Sequence, residues 1–144
     1  MFTPVNMRSA NAYRSVGVET SVAGADAHQL IAMLYEALMQ SLSSAKQAIQ
    51  TRDIPGKGRA ICRAVRLLEE GLKAGLNDEL GGELAVQLRD VYDYSIIRLS
   101  EANLKSDEKM VNEVLGLLQP LAQAWSQIRA EVIAQVREPS YAGG

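Results

Sequence analysis

Over most of this 144-residue chain the apolar residues recur three and four positions apart, and no segment alternates apolar and polar residues between turn signals. A repeat near 3.6 gathers side chains onto one stripe of a helix, whereas a half-buried strand needs a repeat of two. An all-α fold is therefore predicted. The clearest run is Ile61, Val65, Leu68, Leu72 and Leu76, a single apolar face that has to be covered by other helices.

Helix limits follow from local chemistry. Asp26 can accept from the free N–H groups of a helix start while Gln29 reaches back, so a helix is expected from Asp26 to about Thr51, with Leu30, Leu34, Ala37, Ser41, Ala45 and Ala48 facing inward. Asp53-Ile54-Pro55-Gly56-Lys57-Gly58 reads as a turn before the Ile61 helix. In that helix Gly71 and Gly75 lie one turn apart and each cost about 1 kcal/mol relative to alanine, which marks a notch or a frayed end. A connection from Asn77 to Gly82 precedes a helix that turns Leu84, Leu88, Val91, Ser95, Leu99 and Ala102 inward.

Ser106 is the expected cap of a final helix, with Asp107 and Glu108 in the first turn, where the helix dipole favours acids. Its stripe is Val111, Leu115, Leu118, Leu121 or Ala122, Trp125, Ile128 and Val132. Pro120 removes a hydrogen bond to Gly116 and predicts a kink. Glu138-Pro139 is expected to end the helix, because the residue before proline is pushed out of the α region. Four helices joined by short turns pack most simply as an antiparallel four-helix bundle. The expected organisation is one domain over residues 1–144: an N-terminal segment over about 1–20 with a short amphipathic helix near Met7 to Val16, the bundle over 26–136, and a disordered tail over 138–144.

Charge and composition narrow the function. The 15 basic and 17 acidic side chains are interspersed and the net charge is −2, so no field is present to attract a phosphate backbone, and nucleic acid is not an expected partner. Cys62 stands alone, which excludes an internal disulfide and suits a small buried thiol in a reducing cytoplasm. Neither a signal peptide nor a span of about 18 apolar residues is present, so a cytoplasmic protein without membrane insertion is expected.

Metal and catalytic chemistry find little support. Bundles that hold two metals need Glu-x-x-His steps, and the residue three before His28, the one histidine, is Ala25. No metal, cofactor or catalytic residue is expected. His28 reads as a surface histidine near a helix start. The alternative is a histidine phosphotransfer bundle with His28 as its phospho-acceptor.

Surplus apolar residues carry more information. Ile31, Tyr35, Leu38, Leu42 and Ile49 widen the apolar sector of their helix beyond a simple core stripe. Val86, Ile97 and Leu104, at spacings of 11 and 7, fall on one line opposite the core face of theirs. Such surfaces are how helical proteins receive an extended or amphipathic peptide. The candidate groove is Ile31, Tyr35, Leu38, Leu42, Val86, Ile97 and Leu104. Met7, Tyr13 and Val16 share near-helical spacing and form a candidate lid over it. A monomer, or a weak homodimer when empty, is expected.

A set of short motifs extends this reading: the Gly71 and Gly75 notch, Gly81-Gly82-Glu83 opening a helix, then Asp93-Tyr94, Leu99 and Ala102-Asn103, and Ala124-Trp125 downstream. Upstream come Ala12-Tyr13, Val18-Glu19-Thr20, Ala25 to Leu30, and Met33-Leu34-Tyr35. In this order and spacing the chain resembles the FliS family of flagellar secretion chaperones from about Ala12 to Ile128. The resemblance implies a cytosolic chaperone, not an enzyme. It implies a client, the C-terminal segment of flagellin, kept from polymerising early and delivered to the export gate of the flagellar type III apparatus. It also implies that the N-terminal segment covers a groove when client is absent and contacts the export gate protein. Ala27 stands where the family usually has proline, Ala37-Leu38 replace a smaller Gly-Ala pair, and Pro120 is a residue the family does not need.

Overall fold

The computed structural model describes residues 27–76 and 78–142. Helix α1 spans Ala27–Gln50, α2 spans Ile54–Arg66 and runs on into a π-helical segment Leu67–Lys73, α3 spans Asp78–Lys105, and α4 spans Glu108–Ala142. Among the described residues there is no strand. The expected N-terminal helix and the Asp26 cap lie outside the described residues.

Cross-links between helix ends fix the topology. At one end Gln50 donates to Glu108 at 2.9 Å, and Lys57, near the start of α2, reaches the last turn of α3. At the other end the Trp125 indole N–H donates to the backbone carbonyl of His28 at 3.0 Å. Each helix is therefore antiparallel to the next, and α4 to α1. This is the expected antiparallel four-helix bundle. α1 packs on α2, the π segment and α4, while α3 packs on α4, α2 and the π segment; α1 and α3 thus occupy one diagonal.

The turns owe their shape to capping. Arg52 and Ser106 have φ of 59° and 50°, a left-handed conformation that glycine usually supplies at helix ends. It lets Asp53 N–H reach the carbonyl of Ala48 at 2.8 Å, and Asp107 N–H that of Ala102 at 3.1 Å, closing orphan carbonyls in Schellman fashion. Asp53 then caps α2, its carboxylate accepting from Gly56 N–H at 3.0 Å. The stretch expected as a turn is thus mostly first-turn helix, because proline fits there without losing a bond.

Asp107, not Ser106, caps α4, accepting from Lys109 N–H at 2.9 Å. The Ser106 hydroxyl is instead engaged by the buried Lys57 ammonium at 2.6 Å, which also donates to the Asn103 carbonyl at 2.8 Å.

Leu34, Leu38, Leu42, Ile61, Leu67, Leu68, Leu99, Val111, Val114 and Leu118 are fully buried, each aliphatic side chain contributing roughly 1.5–3 kcal/mol by leaving water. In the π segment Leu67, Leu68, Gly71 and Leu72 all face inward, a wider sector than an α-helical turn would bury. Gly71 is the predicted notch: a Cβ there would come 2.8 Å from Leu34 Cδ2. Gly82 breaks the start of α3 with φ 53° and ψ −127°, a conformation costly to any residue with a Cβ.

Several inward assignments shift. Leu84 is 61% exposed, whereas Ala85 and Tyr92 are buried, because the break at Gly82 leaves the first turn of the main helix at the open end of the bundle. Cys62, expected to be buried, is exposed; its neighbours Ile61 and Ala64 take the inward positions. The last helix passes Pro120 as one element and continues through Glu138-Pro139 to Ala142, past the expected stop. A proline ring imposes a φ that a helix already has, so its cost is one missing bond and a local crowding.

Candidate functional site

The expected groove separates into two environments. On α1, Tyr35 is 4% exposed and Leu38 and Leu42 are fully buried, while Ile31 is half-buried against the core. The expectation that these residues form surplus surface is corrected: α1 packs against α2, its π-helical continuation and α4, so its wide apolar sector is core. The Tyr35 and Tyr92 hydroxyls meet at 2.5 Å across the diagonal of the bundle, satisfying one another where water is excluded. Burial pushes both phenols above their usual range; for Tyr35 the Tyr92 hydrogen bond partly offsets this, and for Tyr92 the presence of Tyr35 adds to it.

On α3 the outcome is the reverse. Val86, Ile97 and Leu104 are 51%, 59% and 85% exposed, on the line opposite buried Ala85, Tyr92 and Leu99. Charges interrupt the line: Asp93 pairs with Lys73 at 2.7 Å, Glu101 lies within ion-pair distance of Arg98 and Lys105, and Asp90 is exposed without an ion pair among the described residues.

Two exposed side chains, Tyr94 and Leu117, extend this surface toward α4, and the apolar spacing assigns neither to the groove. Tyr94 donates to Glu113 at 2.6 Å, and Arg98 holds the other oxygen of the same carboxylate at 2.7 Å. The Tyr94 hydrogen bond first, and the Arg98 one second, hold the Glu113 carboxyl below its usual range. That clamp orients the Tyr94 ring on the seam between α3 and α4. Leu117, one turn beyond Glu113, is also exposed. Spacing alone hid them, since Tyr94 lies off the Val86 line and Leu117 off the α4 stripe.

His28 is not a free surface histidine. Its ring stacks on Trp125 with centroids 4.4 Å apart and planes 13° from parallel, and both ring nitrogens are buried without a hydrogen-bond partner. A phospho-acceptor must present a nitrogen to its donor, which this packing prevents. Met7, Tyr13 and Val16 lie outside the described residues. Among those described, no group of three or more His, Cys, Asp or Glu could hold a metal, and no helix is long and apolar enough to cross a membrane.

The site is thus an exposed apolar face on a helix whose opposite face is core. The family model for flagellar protein FliS matches residues 9–132. The chain belongs to the FliS family. Its relatives include the flagellar secretion chaperone FliS of Salmonella typhimurium, 44% identical over 117 residues covering 81% of this chain and 87% of that protein. The chaperone FliSB of Pseudomonas aeruginosa is 36% identical, covering 85% and 96%, and the FliS of Bacillus subtilis 33%, covering 81% and 82%. These FliS relatives are named as chaperones, so the family role is to accompany a flagellar export substrate.

Proposed function

We propose that this FliS-family chain binds the C-terminal segment of flagellin along the outward face of α3, prevents its premature polymerisation, and delivers it to the export gate of the flagellar type III apparatus. The observation that carries the reading is the exposed line Val86, Ile97 and Leu104 in a chain whose relatives are named flagellar secretion chaperones. A segment disordered when free loses several kcal/mol in becoming ordered, which a broad apolar contact offsets. Aliphatic anchors at helical spacing suit an amphipathic client helix laid along α3.

In this scheme the N-terminal segment, through Met7, Tyr13 and Val16, covers the face when client is absent and engages the gate protein when client is bound. Uncovered, the same face is where a weak homodimer would form. The work is done in the cytoplasm and involves no reaction or cofactor.

Isothermal calorimetry with a C-terminal flagellin peptide tests the reading. Saturable binding that Ile97→Glu weakens at least tenfold, without change in melting temperature, supports it. An affinity that Val86→Glu, Ile97→Glu and Leu104→Glu all leave untouched overturns the assignment of this face. Deleting residues 1–16 is expected to speed association, and slower association by a less stable bundle would show that the segment is structural.

A further inference from the structure

Between α1 and α2, on a face that does not include the α3 line, lies an open groove of about 480 Å³. Ser41, Ser44 and Ala48 of α1 and Gly56 and Ala60 of α2 keep the floor free of bulk. Arg59 and Arg63 stand along one wall, and among the described residues neither guanidinium forms an ion pair or hydrogen bond.

Ser41 is 4% exposed, and its hydroxyl is buried at the groove without a partner. A buried hydroxyl left unpaired costs roughly 1–3 kcal/mol. Asp53, the one carboxylate of the lining, has an oxygen committed to capping Gly56.

We propose that this groove is a second docking site, which receives an acidic helix of a partner protein other than the flagellin segment. The lining spans Gln40 to Thr51 on α1, about three turns at ~1.5 Å rise per residue. Small residues on both walls admit the backbone of a third helix at close range, whereas an extended peptide finds no sheet edge here to bond.

Arg59 and Arg63 are four residues apart, so their guanidiniums lie one turn apart along the groove. That is the spacing of two carboxylates at i and i+4 on a docked helix. Guanidinium is the cation best suited to hold a carboxylate in two-point geometry.

Amide-detected NMR titration of the full-length chain tests this, with an alanine-based helical peptide carrying glutamates four apart as probe and its glutamine counterpart as control. The expected result is saturable shifts confined to residues about 40–63, at least tenfold weaker binding of the glutamine peptide, and loss of binding in Arg59→Glu/Arg63→Glu. Ser44→Trp, which fills the groove and spares both arginines, is expected to abolish the shifts as well. Melting curves of each variant confirm that the bundle is intact.

Shifts outside the groove, or equal binding of the two peptides, overturn the proposal. So does binding that survives in both variants. The flagellin peptide is the further arm: its affinity is expected to be unchanged by Arg59→Glu/Arg63→Glu. Its loss would show that the groove is part of the flagellin site and not a separate surface.

Discussion

Helices α1 and α3 carry similar apolar residues to different ends. In α1 they form one wide sector, and the structure buries it: Leu34, Leu38 and Leu42 are inaccessible because α2, the π segment and α4 surround the helix. In α3 the apolar residues divide between opposite faces, Ala85, Tyr92 and Leu99 inward and Val86, Ile97 and Leu104 outward. The width of an apolar sector reports how many neighbours a helix has. A second apolar line on the far face reports surface that the fold itself leaves uncovered.

The largest effect that could break this contrast lies in α1. Leu38→Ala and Leu42→Ala are each expected to cost about 3 kcal/mol, the transfer and cavity cost of a buried leucine, read by urea denaturation. A loss below about 0.5 kcal/mol would return these residues to the surface. Next comes the tyrosine pair. Tyr35→Phe or Tyr92→Phe strands a buried hydroxyl and is expected to cost about 1–2 kcal/mol, while the double variant costs less than the two single losses added together.

The same pair links stability to pH. Both phenols have folded pKa values raised above the unfolded value, so their contribution is fully present below about pH 10 and is lost as pH climbs through the folded values. Chemical denaturation across that range should show the loss in wild type and not in Tyr35→Phe/Tyr92→Phe. An equal loss in both would assign it to other groups.

On α3 the expected stability changes are small. Val86→Glu, Ile97→Glu and Leu104→Glu should each stay within about 0.5 kcal/mol of wild type, as solvent-facing substitutions do. A collapse of the bundle would mean that the outward line is packed after all. Smallest is the Glu113 clamp on Tyr94. Its carboxyl is held low, so whatever stability it contributes is present above the unfolded pKa of about 4.3 and lost as pH falls through the folded value. Melting temperatures of wild type and Glu113→Gln should differ slightly at neutral pH and converge on acidification; a gap that persists in acid would point to a packing role.

Much of this was legible in the residues. The Ile61 to Leu76 stripe, the limits of α1 to within a residue or two, and the Gly71 notch follow from periodicity and from what a glycine costs. Less accessible was anything set by several elements together. Tyr35 reads as a groove rim because its helix has more apolar residues than one stripe needs, and only packing against α2, its π continuation and α4 turns that surplus into core.

Ser106 read as a cap because its side chain is of the right type. The left-handed turn there moved the cap to Asp107 and gave the hydroxyl to Lys57, a long-range contact that no local pattern encodes. The break at Gly82 starts the main part of α3 at the end of the bundle, so Leu84 in its first turn is exposed while Ala85 is buried, which helical spacing alone does not reveal. Val86, Ile97 and Leu104 were legible because their line is local to one helix.

If α3 is the face that meets client while the α1 leucines stay core, methyl-detected NMR of the chain titrated with a C-terminal flagellin peptide reads both at once. The predicted result is that Val86, Ile97 and Leu104 methyls shift and saturate together while those of Leu38 and Leu42 hold their positions. Large shifts at Leu38 and Leu42, with the α3 methyls unmoved, would contradict it.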